Sequence, residues 1–148
     1  YYMSDYHCLN AGTADDLKIN GLPARLLLAN STLDLSILTV NLHLPAMSAN
    51  LMDLRKGEEV ATLGHGYGFI DTIFRSGHVA HPSIDPYKRG SPGQILIFDS
   101  AYIPGMSGGP VFTMDGRVVG IVQTTDLVSG FGINIKAILH ATSFYWQK

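Results

Sequence analysis

Apolar residues in this chain come in short β-rich runs, and the 3.6-residue period of an amphipathic helix is scarce before the last dozen positions. Gly, Pro, Asn and Asp separate the runs. The pattern predicts strands near Leu17–Asn20, Ala24–Leu28, Leu35–Asn41, Glu59–Leu63, Thr72–Ala80, Gln94–Phe98, Pro110–Thr113, Val118–Gln123 and Gly132–Ile135. Met114-Asp115-Gly116 marks the clearest hairpin, because Asp-Gly supplies the positive φ a tight turn needs. From Lys136 to Gln147 the period changes. Ile135, Ile138, Leu139, Thr142 and Trp146 fall on about one helical face, with Asn134 placed to cap it. Strands at short spacing without intervening helices point to an all-β barrel or sandwich carrying a terminal helix.

Composition narrows the class further. The chain has 148 residues, the size of one domain, with 46% apolar and only 15% charged residues, which excludes a charge-solvated disordered chain. No run reaches the roughly 20 apolar residues of a membrane-spanning helix. Ten Lys and Arg against twelve Asp and Glu leave a formal charge of −2, and the longest basic run is Lys88-Arg89, which argues against nucleic acid as a partner. A single cysteine, Cys8, excludes an intrachain disulfide and a multi-cysteine zinc site. Tyr1 stands where an initiator Met is expected, so the chain reads as processed or truncated upstream. Gly90-Ser91-Pro92-Gly93, following Pro82 and Pro86, is the best candidate for a long loop or junction.

Three segments carry candidate chemistry. Pro104-Gly105-Met106-Ser107-Gly108-Gly109-Pro110 leads directly into the apolar Val111-Phe112. Serine is a poor nucleophile at neutral pH and needs a base and an oxyanion site. Glycines around Ser107 permit a tight turn that points it outward and lets the N–H groups of Gly105 and Ser107 converge. Taken alone, the motif also fits a glycine-rich surface turn with a bystander serine. Ser4-Asp5-Tyr6-His7-Cys8-Leu9 places a histidine just past the end of a strand, and Leu33-Asp34-Leu35-Ser36-Ile37-Leu38 places an aspartate at the head of an apolar run. Either is ordinarily structural; their joint occurrence is less easily set aside.

In this order the three segments resemble the trypsin/chymotrypsin-fold serine peptidases, and within them the bacterial trypsin-like peptidases of the Deg, or high-temperature-requirement, type. Tyr6-His7-Cys8 resembles that family's Ala-His-Cys or Asn-His-Val, Asp34-Leu35-Ser36-Ile37-Leu38 its Asp-Leu-Ala-Val-Leu, and Gly105-Met106-Ser107-Gly108-Gly109-Pro110 its Gly-Asn-Ser-Gly-Gly-Pro. Similarity continues through Thr72–Val79 and Gly116–Ile121. The order His, Asp, Ser separates this reading from the α/β-hydrolases. Their Gly-x-Ser-x-Gly elbow also fits Gly105-x-Ser107-x-Gly109, but their histidine follows the serine, and here only His140 does.

The resemblance implies an all-β, double β-barrel serine endopeptidase. It would form one domain over 1–148, with about 1–85 as first barrel and linker and 86–148 as second barrel and C-terminal helix. It implies Ser107 as nucleophile, His7 as general base, Asp34 as the carboxylate that orients it, and the N–H groups of Gly105 and Ser107 as the oxyanion hole. For the substrate pocket it implicates Ala101 as floor, Gln123, Thr124 and Thr125 as the pairing strand, and Gly130 and Gly132 as a wall. This suits an apolar residue before the scissile bond, unless Asp99 reaches inward and reverses the preference. It implies a polypeptide substrate and no metal or organic cofactor, and it favours secretion or the periplasm.

Two departures stand out. Met106 replaces the family's usual Asp or Asn, and only six residues precede His7 where about two strands are expected, so the first barrel is expected to be incomplete at its N-terminal end. A catalytically inactive module that binds peptides or serves structurally is the alternative reading. Other motifs are weaker: Gly64-His65-Gly66-Tyr67-Gly68 resembles a phosphate loop but no helix pattern follows it, alternation points His78 and His81 to opposite faces, and His43 and His65 read as surface or turn residues.

Overall fold

The computed structural model describes residues 1–11, 16–68, 70–84, 95–126 and 128–146. Ten strands are described, followed by one helix: β1 Tyr2–Ser4, β2 Lys18–Ile19, β3 Leu22–Asn30, β4 Leu35–Val40, β5 Glu59–Gly64, β6 Ile73–Ile84, β7 Ile95–Phe98, β8 Pro110–Thr113, β9 Val118–Thr125, β10 Gly130–Asn134 and α1 Ile135–Trp146. The chain divides into two compact units, Tyr1–Ala46 and Met47–Lys148.

The first unit is an antiparallel four-stranded sheet in the order β1-β4-β3-β2. Strand β4 is its centre because Leu35, Ile37 and Leu38 are apolar and almost wholly buried. Beneath them, the buried Ser36 hydroxyl donates to the carbonyls of Ser4 and Asp5 at 3.1 and 3.2 Å, tying the exit of β1 to β4. Asn20 and Gly21, at φ 50° and 77°, form the two-residue turn from β2 into β3, with Ile19 paired to Leu22. That conformation is what Asn-Gly favours in hairpins.

The second unit is a closed six-stranded barrel, β10-β7-β6-β5-β8-β9. Alternation fills its interior with Val60, Val79, Leu96, Phe98, Val111, Val119 and Val122, with Tyr102 and Met106 entering from the loop between β7 and β8. Each such side chain, fully buried, contributes about 1.5–3 kcal/mol of transfer free energy. The Asp115-Gly116 hairpin forms as expected: Gly116 is at φ 84° and its N–H bonds the Thr113 carbonyl at 2.8 Å. Helix α1 is capped by Asn134, whose Oδ1 accepts the Lys136 N–H at 2.8 Å, and it buries Ile135, Ile138 and Thr142.

The all-β class, the terminal helix and the open first sheet agree with expectation. The internal division differs: it falls between Ala46 and Met47, whereas the expected boundary lay near residue 85. Strands β5 and β6, assigned above to the first barrel, belong to the closed one. Val60 pairs with Thr113 of β8, and Val79 with Phe98 of β7. The Gly- and Pro-rich segment around 90–93, read above as a loop or junction, lies outside the described residues. The true division runs through Leu44-Pro45-Ala46-Met47-Ser48, which carries little turn chemistry.

Candidate active site

Pairing of β1 with β4 brings the histidine and the aspartate together. Ser4 lies opposite Ser36 in an antiparallel register. The chain leaving Ser4 therefore passes the chain entering β4, so His7 arrives beside Asp34. Asp34 Oδ1 accepts the His7 backbone N–H at 2.8 Å, and Asp34 Oδ2 lies 2.7 Å from His7 Nδ1. Asp34 sits at φ 50°, a left-handed conformation that Asp and Asn tolerate better than other side-chain-bearing residues. The preceding turn is fixed by Asn30, whose Oδ1 accepts the Leu33 N–H at 3.0 Å. A carboxylate so held fixes the imidazole as the Nδ1–H tautomer and leaves Nε2 as the proton acceptor.

Two further groups crowd this histidine, and motif reading passed over both. Asp5 is buried, with Oδ2 3.9 Å from His7 Nδ1. The exposed Cys8 is the next residue along. Partial burial of its thiol, reinforced by the neighbouring Asp5 carboxylate, pushes the Cys8 pKa up, so the group rests as a thiol.

The serine lies in the second unit, between β7 and β8. Gly108 N–H bonds the Val122 carbonyl at 2.9 Å and Val122 N–H bonds the Gly109 carbonyl at 2.9 Å, so the loop is stitched to β9 just past Ser107. Gly105 adopts φ 97°, and a Cβ there would sit 2.8 Å from the His65 carbonyl oxygen. Glycine is required twice over, by conformation and by close approach. Among the described residues, no backbone carbonyl takes the N–H of Gly105 or of Ser107. The Ser107 hydroxyl donates to the Gln123 carbonyl at 3.1 Å. Met106, where the resemblance expects a polar residue, is 1% exposed and packs into the barrel core against Gly64.

The residues expected around the substrate are distributed as follows. Ala101 is half-buried, and Thr124 is exposed. The β8–β9 register ends at Pro110–Ile121, so Gln123, Thr124 and Thr125 run on past the end of β8. Thr125 is turned inward: its Oγ1 accepts the Tyr102 N–H at 3.1 Å and lies 2.9 Å from the Ser129 carbonyl. Gly130 and Gly132 are packing glycines. A Cβ at Gly130 would lie 2.4 Å from the Phe98 ring, and one at Gly132 would lie 2.4 Å from the Ile121 carbonyl oxygen. Asp99 is committed to β6, with its carboxylate accepting the His78 backbone N–H and lying 3.3 Å from His78 Nδ1. The backbone bond, more than the ring, holds its pKa below the ordinary carboxylate value.

Comparison with known proteins places this architecture. A family model described as a trypsin-like peptidase domain matches residues 3–121, and the chain belongs to that family. A curated relative from Halomonas elongata, named a probable periplasmic serine endoprotease DegP-like, is 31% identical over 130 residues, covering 82% of this chain and 26% of the relative. The chain thus spans about a quarter of that relative's length. Among solved structures, an M. tuberculosis protease in its active form aligns with TM-score 0.77 at 19% identity, over 95% of this chain and 67% of that one. The HtrA-type protease AlgW with a decapeptide aligns with TM-score 0.78 at 23% identity, over 95% and 46% respectively. At those identities the two structures speak for the fold.

Proposed function

We propose that this chain is a serine endopeptidase that cleaves polypeptides through an acyl-enzyme. The carrying observation is the double contact of Asp34 with His7, through the backbone N–H and through Nδ1. Asp99 makes the same pair of contacts with His78, with Nδ1 at 3.3 Å, so the reading rests on the closer 2.7 Å contact at His7 taken together with the Gly105–Pro110 serine motif.

In this reading His7 Nε2 takes the proton from Ser107 Oγ as the hydroxyl oxygen attacks the scissile carbonyl. The resulting oxyanion is received by the N–H groups of Gly105 and Ser107. The imidazolium, stabilised by Asp34, returns the proton to the leaving amine. Water then repeats the sequence on the acyl-enzyme and frees Ser107. The extended substrate pairs with the Gln123–Thr125 segment of β9, which runs past the end of β8. The small, uncharged side chain of Ala101 and the commitment of Asp99 to His78 favour an apolar side chain before the scissile bond. Polypeptide recognition is in keeping with the peptide-bound structure of the related HtrA-type fold.

A second reading, a peptide-binding module without turnover, is favoured by one contact: the Ser107 hydroxyl donates to the Gln123 carbonyl. A fluorophosphonate probe separates the two. Covalent labelling of the wild-type chain that disappears in Ser107→Ala supports the peptidase, whereas a folded wild-type chain that binds peptides and takes no label supports the module.

A further inference from the structure

Asp5, His7 and Cys8 form a cluster that the proposed mechanism does not use in full. One ligand atom from each lies within 4.8 Å of the others. Sulfur, imidazole nitrogen and carboxylate oxygen are the three donor types zinc accepts, and three protein ligands with a fourth position left to water is a common arrangement. Bonds of about 2.0–2.3 Å at tetrahedral angles put ligand atoms about 3.3–3.8 Å apart. The 3.9 Å between Asp5 Oδ2 and His7 Nδ1 is already close to that span, and side-chain rotation of the exposed Cys8 can bring in its sulfur. The donors also differ in setting. Asp5 is wholly buried and forms a fixed floor, while His7 and Cys8 face solvent and leave an entry path.

We infer that Asp5, His7 and Cys8 constitute an inhibitory site for a zinc-like divalent cation. Its inhibitory consequence rests on His7 being the general base; the site itself does not. The ion takes His7 Nδ1, the atom that now lies 2.7 Å from Asp34 Oδ2, and so competes directly with that carboxylate. In doing so it moves the ring proton from Nδ1 to Nε2, the position that must be vacant to receive the Ser107 proton. The Cys8 thiol loses its proton to solvent as the sulfur–metal bond forms, so one proton is released per ion bound. No redox change is involved, and a chelator reverses the step.

The test uses the whole chain. Titration with Co2+ alone is followed by the near-ultraviolet thiolate-to-cobalt charge-transfer band, and fluorophosphonate labelling of Ser107 is measured in parallel with Zn2+ and with chelator. The expected result is a saturable band that Cys8→Ser abolishes, and an affinity lowered in Asp5→Asn by at least the 10–100-fold that losing an outer-shell partner costs a metal site. Labelling should be suppressed by Zn2+, restored by chelator, and insensitive to Zn2+ in Cys8→Ser, whose metal-free labelling stays at the wild-type level. A Cys8-dependent band in a chain that never labels would uphold the site and count against the peptidase reading. Absence of the band, or Zn2+ suppression that persists undiminished in folded Cys8→Ser, overturns the proposal.

Discussion

Asp34 holds His7 at two points, with Oδ1 on the backbone N–H at 2.8 Å and Oδ2 2.7 Å from Nδ1. An asparagine in its place would keep the first contact and reverse the second, since its amide presents N–H where the ring also carries a proton. Asp34→Asn is therefore expected to lower turnover by about 10⁴-fold while leaving the fold in place. Peptide hydrolysis measured beside circular dichroism checks both halves, and an active Asp34→Asn variant would remove Asp34 from the mechanism.

Gly105 is fixed by its φ of 97° and by the 2.8 Å that would separate a Cβ from the His65 carbonyl. Gly105→Ala is expected to cost about 1–3 kcal/mol of stability through the positive φ alone, and to abolish labelling by displacing one oxyanion donor. Thermal denaturation and probe labelling on the same sample read the two effects.

Met106 belongs to the barrel core. Restoring the family's usual polar residue with Met106→Asn should destabilise by about 3–5 kcal/mol, because it removes packing and buries an amide among apolar side chains. Met106→Leu should cost under about 1.5 kcal/mol. Urea midpoints compare the pair; equal stability for the two variants would contradict the core assignment.

Much of this fold was legible because its devices are local. Alternation located the strands, Asp115-Gly116 located a hairpin, and Asn134 marked the start of α1 within a residue. Asn20-Gly21 carried an equally clear turn signal, and reading the strands on either side of it as separate runs missed the hairpin they form. The division at Ala46 was illegible for a different reason. Which sheet a strand joins is decided by long-range pairing, such as Val60 with Thr113, and no local pattern encodes it. At the site, motif order pointed to His7 and Asp34, whose proximity follows from Ser4 facing Ser36. Thr125 could not be sorted by motif, since its alternation suits a substrate strand equally well, and only the inward hydrogen bonds to Tyr102 and Ser129 decide it.

That inward role is testable. Thr125→Val leaves the Tyr102 N–H without its acceptor and is expected to cost about 1–3 kcal/mol, whereas Thr125→Ser retains the oxygen and should stay close to wild type. If Thr125 braces the loop ahead of Ser107, KM for peptides should rise in Thr125→Val and recover in Thr125→Ser; indifference to both would return Thr125 to a surface role.

Asp126 ties the turn between β9 and β10, its Oδ1 accepting N–H bonds from Ser129 and Val128. Those bonds, that from Ser129 foremost, hold its pKa below the ordinary carboxylate value. A folded pKa below the unfolded one means the contribution is complete above about pH 3.9 and is lost as pH falls through the folded value. The stability gap between wild type and Asp126→Ala should thus be constant from about pH 5 upward and narrow below about pH 4. Melting curves across that range measure it; a gap that widens on acidification would reverse the sign.

His7 and Asp34 belong to the compact unit Tyr1–Ala46, while Ser107, Gly105 and the stretch of β9 beyond β8 belong to Met47–Lys148. Under the proposed mechanism, custody of the proton is thereby divorced from custody of the carbonyl. If the proposed peptidase reading holds, damage confined to the four-stranded sheet would silence cutting yet spare the grip on a peptide, turning scissors into a clamp.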